Sequence, residues 1–253
     1  MNRIDKAFEG KKAFIAFIVG GDPDIETTEA LIIAMAESGV DIIEIGIPFS
    51  DPVAEGIVIQ EATARALANG CTVDKLFEMI KRVRTKVDIP LVFMTYINPI
   101  FAYDKTVFME KCADCGIDGI IVPDMPYEEK EELSDECSKH GIYNISMIAP
   151  TSYKRIKMIA KDAEGFLYCV SSLGVTGVRS DISGNIAEMI KHAKEVTSIP
   201  CAVGFGISTK QQVQDLSAIS DGVIIGSAIV KIVAQFGSES IEPVKEFVKS
   251  VRG

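Results

Sequence analysis

The chain has 253 residues, 47% of them hydrophobic, and a formal net charge of −10. A chain of this length can build one sizeable core, and α/β barrels commonly reach it as a single domain, so we expect residues 1–253 to form one domain. An acidic chain without a basic block is a poor candidate for binding nucleic acid or an anionic membrane, and no apolar run reaches the roughly 18 residues that cross a bilayer.

Short apolar segments recur along the whole chain. They are rich in Ile, Val and Phe and lack a strict alternation of apolar and polar residues, which is typical of strands that are buried on both faces. The predicted strands are Ala13–Val19, Ile42–Ile45, Leu91–Thr95, Gly119–Val122, Asn144–Ile148, Phe166–Ser171, Cys201–Gly204 and Val223–Gly226. The polar segment Met1–Lys6 is predicted to run directly into the first strand.

Amphipathic segments separate these strands. The predicted helices are Thr27–Ser38, Val58–Ala68, Val73–Val87, Lys105–Cys115, Glu128–His140, Tyr153–Ala160, Asn185–Val196, Thr209–Leu216 and a tail from Ser227 to Val251. Gly116 and Gly141 supply helix stop signals. Eight strands, each followed by at least one helix, predict an α/β protein with a closed (β/α)8 TIM barrel rather than an open sheet.

The chain contains six cysteines, and no secretory signal is evident before them. We therefore expect reduced thiols and a cytoplasmic protein. Cys112 and Cys115 form one C-x-x-C pair on a predicted helix, without a second pair and without a histidine nearby in the sequence. A zinc or redox site is one interpretation of this pair, but thiols buried on a helix are the favoured one.

Glu44 lies inside the second predicted strand, between Ile43 and Ile45. Side chains alternate along a strand, so if the isoleucines face the helices, Glu44 points into the barrel mouth, where active sites of this fold lie. An inward carboxylate should have a raised pKa, which suits a group that both donates and accepts a proton near neutral pH. The alternatives are a strand-end charge that reaches solvent and a structural ion pair. A second carboxylate, Glu55, follows on a loop that Pro and Gly punctuate.

Glycine-rich segments follow the last three predicted strands, at Ser171–Gly177, Gly204–Ser208 and Gly226–Ile229. Glycine lets backbone N–H groups approach phosphate oxygens, and a helix that begins at Ser227 adds a favourable dipole and a hydroxyl donor. The glycines would also suit simple tight turns. Successive glycine-rich loops after strands seven and eight favour a phosphate site, because such barrels usually bind phosphate there.

Three aromatic residues lie at or near strand ends. Phe17, Tyr96 and Tyr168 would line a pocket at the barrel mouth, or they would be core residues whose tyrosine hydroxyls reach the rim. Asp124 follows the fourth strand, where capping of the next helix is the default interpretation and a loop tether is the alternative.

Several motifs together carry a family resemblance, and they extend from the first strand to the last helix. They are Phe17–Asp22, Glu44–Gln60, Val122–Pro126, Ser171–Gly177, Gly204–Gly206 and Gly226–Val230. Together they resemble the alpha chain of tryptophan synthase, and the run Glu-Ile-Gly-Ile-Pro-Phe-Ser-Asp-Pro that begins at Glu44 is the most specific of them. The resemblance implies a lyase of tryptophan biosynthesis that cleaves indole-3-glycerol phosphate to indole and glyceraldehyde 3-phosphate by a retro-aldol route.

The resemblance also implies site residues. Glu44 aligns with the acid/base that protonates indole C3 and takes the proton of the glycerol hydroxyl. Glu55 would hold the indole N–H, although the family often has Asp at this position, and Tyr168 aligns with an active-site tyrosine near the glycerol chain. The implied substrate-binding residues are Phe17 and Tyr96 around the indole, Thr176 on a closing loop, and Gly177, Gly206, Gly226 and Ser227 around the phosphate.

A partner is implied as well. The family's alpha chain needs no metal or cofactor of its own and docks on a beta chain that carries pyridoxal phosphate, in an α2β2 assembly. Indole passes between the two chains through a tunnel.

Two other functions stay open. A non-catalytic regulatory subunit would bind a phosphate ligand and activate a partner, with Glu55 marking lost chemistry, but the presence of Glu44 and Tyr168 favours the lyase. Another phosphate-sugar barrel enzyme, such as an isomerase, would need a different acid/base set at other strand ends, and the sequence offers none.

Overall fold

The computed structural model describes residues 2–150, 152–170, 182–204 and 206–252. Within this part of the chain, eight parallel strands pair in chain order and close into a barrel. The strands are β1 (Ala13–Val19), β2 (Ile42–Gly46), β3 (Leu91–Met94), β4 (Gly119–Ile121), β5 (Tyr143–Ile148), β6 (Leu167–Val170), β7 (Cys201–Gly204) and β8 (Gly222–Ile225). The predicted (β/α)8 fold is confirmed, and the strand ends differ from the prediction by no more than one residue.

Helices surround the barrel between successive strands. They are α1 (Arg3–Ala7), α2 (Ile25–Glu37), α3 (Ile57–Ala68), α4 (Val73–Arg84), α5 (Ile97–Tyr103), α6 (Lys105–Cys115), α7 (Glu131–Lys139), α8 (Tyr153–Lys161), α9 (Ile182–Lys194), α10 (Lys210–Ile219), α11 (Ser227–Phe236) and α12 (Ile241–Arg252). The tail was predicted as one helix, but a 3-10 turn at Gly237–Glu239 divides it into α11 and α12. Helix α5 has no counterpart in the sequence prediction.

Helix α1 corrects the prediction that Met1–Lys6 leads straight into a strand. The Asn2 side chain accepts a hydrogen bond from the backbone of Ile4, and the Asp5 side chain bonds back to Asn2, which is a capping box. Ile4 is fully buried in the apolar cluster inside the barrel. A helix of five residues is too short to show a period, so only its cap could have indicated it.

Two apolar layers lie on the two sides of the sheet. The inner layer includes Ile15, Ile42 and Val92. The outer layer joins Ile43 and Ile45 of β2 to the surrounding helices. Alternate residues of each strand therefore face either the barrel interior or the helices.

The cysteines follow the favoured interpretation of the sequence. All six are unpaired. Cys112 and Cys115 lie buried on α6 within the outer core. Across the described residues, the search for a helix of the length and apolarity needed to span a membrane finds none.

A buried carboxylate organises the end of the barrel where the strands begin. Asp118, just before β4, is 5% exposed and accepts hydrogen bonds from Arg84 at 2.6 Å and Arg3 at 2.9 Å. It also accepts the backbone N–H of Leu91 at 2.9 Å. This one side chain thus ties α1, α4 and β3 together.

Replacing Asp118 with Asn should lower the free energy of unfolding by about 3 kcal/mol, because it leaves the buried Arg84 guanidinium without its counter-charge. Urea unfolding measures this loss. Asp88 is the matched control, since it also pairs with Arg3 but its side chain is 98% exposed. Asp88→Asn should change stability little, and equal losses in the two variants would contradict the assignment.

Candidate active site at the barrel mouth

Glu44 points into the barrel. Its neighbours Ile43 and Ile45 pack in the outer layer against the helices, so the alternation of side chains along β2 turns Glu44 inward. Its register partner on β1 is Phe17, which therefore shares its side of the sheet. The predicted orientation of Glu44 is confirmed.

The Glu44 carboxylate is fully buried, and neither of its oxygens has a hydrogen-bond partner among the described residues. Neither alternative from the sequence therefore holds, since the group reaches no solvent and forms no ion pair within the described part. Burial raises the pKa of Glu44 to about 8, because the charged form loses its hydration. The predicted rise is confirmed, and it leaves the group protonated in part near neutral pH.

Tyr168 also belongs to the apolar cluster inside the barrel. Its pKa is raised well above the ordinary value, mainly by burial and then by the charge of Glu44. A Cβ atom on Gly204 would lie 2.6 Å from the Tyr168 hydroxyl oxygen, so the absent side chain at 204 gives that hydroxyl its space. The tyrosine is thus a neutral hydroxyl within electrostatic range of Glu44.

Phe17 fills a narrow slot at the mouth. A Cβ atom on Gly46 would lie 2.8 Å from the end of the Phe17 ring, and one on Gly226 would lie 3.1 Å from its side. The ring lies between β2 and the loop after β8 and forms an apolar wall. The sequence analysis did not assign Gly46, although a glycine inside a strand often signals such a close approach.

Tyr96, which follows β3, bonds to the loop that follows β2 and carries Glu55. The Tyr96 hydroxyl accepts the backbone N–H groups of Val53 at 3.1 Å and Ala54 at 3.0 Å. Burial raises the pKa of the half-buried Glu55 carboxyl, and a hydrogen bond with Tyr96 offsets part of the rise. One Glu55 oxygen is buried without a partner in the described residues. The two predicted site residues are thus neighbours, which the sequence did not indicate.

Asp124 caps a helix other than the next one in the chain, which was the default prediction from the sequence. Its carboxylate accepts the backbone N–H of Ile97 at 3.0 Å and so caps α5. Tyr96 is the residue that precedes α5. Asp124, on the loop after β4, therefore fixes the start of α5 and with it the position of Tyr96.

The predicted phosphate residues are described only in part. Thr176 and Gly177 lie outside the described residues. Gly206 takes a φ of 66°, a conformation that favours glycine at a turn. Ser227 is the first residue of α11, whose N-cap, Gly226, supplies no side-chain cap, and the first turn carries no acidic residue. These features leave the helix N-terminus suited to an anion, and phosphate binding stays a prediction.

A closed parallel barrel with a buried carboxyl group and a tyrosine at its mouth defines a (β/α)8-barrel protein with the features of an enzyme site. Residues 4–252 match the model of the family described as "Tryptophan synthase alpha chain". The chain belongs to this family.

Individual relatives agree over the full length. The tryptophan synthase alpha chain of Thermoanaerobacter sp. (strain X514) is 48% identical, with 100% of this chain and 99% of the relative covered. That of Lacticaseibacillus casei is 43% identical and covers 100% and 95%. The solved structure of tryptophan synthase subunit alpha from Legionella pneumophila str. Paris has a TM-score of 0.91 at 35% identity, with 100% and 97% covered.

The chain is therefore a lyase of tryptophan biosynthesis that cleaves indole-3-glycerol phosphate to indole and glyceraldehyde 3-phosphate. The family resemblance drawn from the sequence is confirmed. The matches do not favour a non-catalytic phosphate-binding subunit.

Replacing Glu44 with Gln should change the pH dependence of stability. Between the ordinary carboxyl pKa of 4.5 and about 8, the folded state keeps a proton that the unfolded chain has released. Stability therefore falls as pH rises through this window, and Gln removes that dependence. We expect the free energy of unfolding of Glu44→Gln, relative to that of the natural chain, to rise with pH by up to about 1.4 kcal/mol per pH unit in this window.

Urea unfolding at several pH values across this window measures the difference. The exposed Glu9 is the control position, since Glu9→Gln replaces a solvated side chain and should change stability little. A difference for Glu44→Gln that stays flat or shrinks with pH would contradict the buried, protonated state.

Proposed function

We propose that Glu44 is the acid/base of the lyase reaction and that Glu55 supports the indole nitrogen. The observation that carries this proposal is the buried, inward Glu44 carboxyl with a pKa of about 8. Such a group holds a proton near neutral pH and can both give it up and take one back. Tyr168, whose hydroxyl stays neutral, would bind the glycerol chain beside it.

The reaction needs a proton at one carbon and the loss of a proton at one oxygen. Protonated Glu44 would donate to indole C3, which places a positive charge on the indole ring nitrogen. The Glu44 carboxylate would then take the proton of the hydroxyl on the adjacent glycerol carbon. As the oxygen electrons form the aldehyde C=O, the pair of the breaking C–C bond returns to the ring and neutralises it. Glu44 ends protonated again.

Glu55 would act at the nitrogen. A carboxylate beside the indole N–H stabilises the positive charge that develops when C3 is protonated. The two carboxyl groups have different surroundings, since Glu44 has no partner in the described residues whereas Glu55 bonds with Tyr96. Different surroundings push the pKa values of two carboxyl groups apart and allow separate roles.

Phe17 and Tyr96 would flank the indole, and the phosphate would lie where α11 begins. Gly206, Gly226 and Ser227 would contribute backbone N–H groups and a hydroxyl there, with Thr176 and Gly177 added from the loop after β6. The uncapped start of α11 supports this placement, because free N–H groups and the helix dipole favour an anion.

We also propose the partner of this chain. The tryptophan synthase complex from Pyrococcus furiosus has a TM-score of 0.87 at 35% identity, and a further solved structure concerns the a2b2 complex of that organism. This chain would likewise bind a beta chain in an α2β2 assembly, and pyridoxal phosphate would be held by the beta chain. We propose that the chain works in the cytoplasm and that residues 1–253 form one domain.

Glu44→Gln should abolish indole release, with a loss of at least about 10³-fold, because Gln can neither donate nor accept the proton. Single-turnover mixing of purified chain with indole-3-glycerol phosphate measures the rate. Glu9→Gln again serves as control. Equal rates in the natural chain and Glu44→Gln would sink the assignment and favour a regulatory subunit.

Glu55→Ala should lose most turnover and keep most ligand affinity, because Glu55 is proposed to contact only the indole nitrogen. Titration with indolepropanol phosphate, which lacks the hydroxyl that must lose its proton, measures affinity apart from chemistry. A loss of affinity as large as the loss of turnover would contradict this division.

A further inference from the structure

The Tyr96 hydroxyl has a complete set of hydrogen-bond partners. A phenol oxygen can accept two hydrogen bonds and donate one. The N–H groups of Val53 at 3.1 Å and Ala54 at 3.0 Å occupy the two acceptor positions. The O–H is left to donate, and the Glu55 carboxyl, whose pKa the Tyr96 hydroxyl lowers, lies in its neighbourhood. The direction of the hydroxyl hydrogen is therefore determined by the loop backbone.

The residue that carries this hydroxyl is also held from outside the loop after β2. Tyr96 is 2% exposed, so its ring is packed into the protein. The next residue, Ile97, donates its N–H to the Asp124 carboxylate at 3.0 Å. Tyr96 is thus attached to the barrel through packing and through the loop after β4.

The loop itself has little packing of its own. Val53 is 78% exposed and Ile57 is 72% exposed, so residues on either side of Glu55 are not buried. Beyond Tyr96, the backbone carbonyl of Glu55 accepts the Gln60 side chain at 2.7 Å. Within the described residues, the backbone around Glu55 is therefore held by the side chains of Gln60 and Tyr96, and of these two only Tyr96 is buried.

We infer that Tyr96 is a positioning residue, whose hydroxyl fixes the backbone of residues 53 and 54 and directs the Glu55 carboxylate. This inference rests on the proposed role of Glu55 at the indole nitrogen. It gives Tyr96 a task apart from lining the indole pocket, since the task depends on the hydroxyl and the pocket wall on the ring.

Tyr96→Phe separates the two tasks, because it keeps the ring and removes the hydroxyl. We expect kcat for indole release to fall by about 10- to 100-fold, since a small misplacement of a catalytic group has effects of this size, while KM stays within about threefold. In the natural chain, the Tyr96 hydroxyl lowers the pKa of Glu55. Its removal should raise that pKa, so the acid limb of the pH profile of kcat should move to higher pH.

Tyr103→Phe is the matched control. Tyr103 is the last residue of α5, the helix that Tyr96 precedes, and its hydroxyl bonds to Asp74 at the surface. This variant should keep kcat, KM and the pH profile. An unchanged pH profile in Tyr96→Phe, or an equal shift in Tyr103→Phe, would overturn the inference.

A double-mutant cycle with Glu55→Gln tests whether Tyr96 acts through Glu55. In the Glu55→Gln background, Tyr96→Phe should change kcat by less than about twofold, because the group that it positions is already lost. Multiplied losses would overturn the inference and leave the role of Glu55 intact. Full activity of Glu55→Gln alone would instead overturn the proposed role of Glu55, so the two failures are distinguishable.

Discussion

The burial of one carboxyl group without a partner governs the mouth of this barrel. A carboxylate in such a place would be costly as a charge, and the protein accommodates Glu44 by keeping its pKa near 8. Closure of the sheet enforces the burial, because Ile43 and Ile45 are held against the helices and leave Glu44 no outward direction. The same constraint that makes the residue unfavourable for stability leaves it protonated near neutral pH.

At the opposite end of the barrel, two buried carboxylates have hydrogen-bond and ion-pair partners. Asp118 is bonded by two arginines and a backbone N–H, and Asp41 is paired with Lys11 and Arg252 while accepting the N–H of Phe14. These groups join the terminal helices to the strands. Asp118 and Asp41 hold the fold together at the start of the strands, whereas Glu44, near their ends, has no partner in the described residues. This division is the usual one for the fold.

A feature could be predicted from the sequence when its signal lies within a short stretch of residues. The strands, the inward direction of Glu44 and its raised pKa follow from short apolar runs and alternation, so they were predictable. The contact of Tyr96 with Val53 joins residues 43 positions apart, and Asp124 reaches Ile97 across 27 positions. No period or spacing encodes such pairs, and α5 itself is a seven-residue helix whose N-cap residue, Tyr96, supplies no side-chain cap. The glycines at 206 and 226 were recognised, but the steric reason at 226, the Phe17 ring of β1, could be seen only in the folded structure.

Phe17, Gly46 and Gly226 share a single volume, although they come from β1, β2 and the end of β8. A methyl group at either glycine would enter space that the ring already occupies, at 2.8 Å and 3.1 Å. These positions are therefore coupled, because a side chain at 46 or 226 requires the ring at 17 to shift or to be replaced by a smaller group. A side chain becomes acceptable at 46 or 226 once residue 17 has become smaller, and drift at one position limits the substitutions open to the others. The apolar wall of the mouth therefore depends on three positions that are far apart in the sequence and share one packing environment.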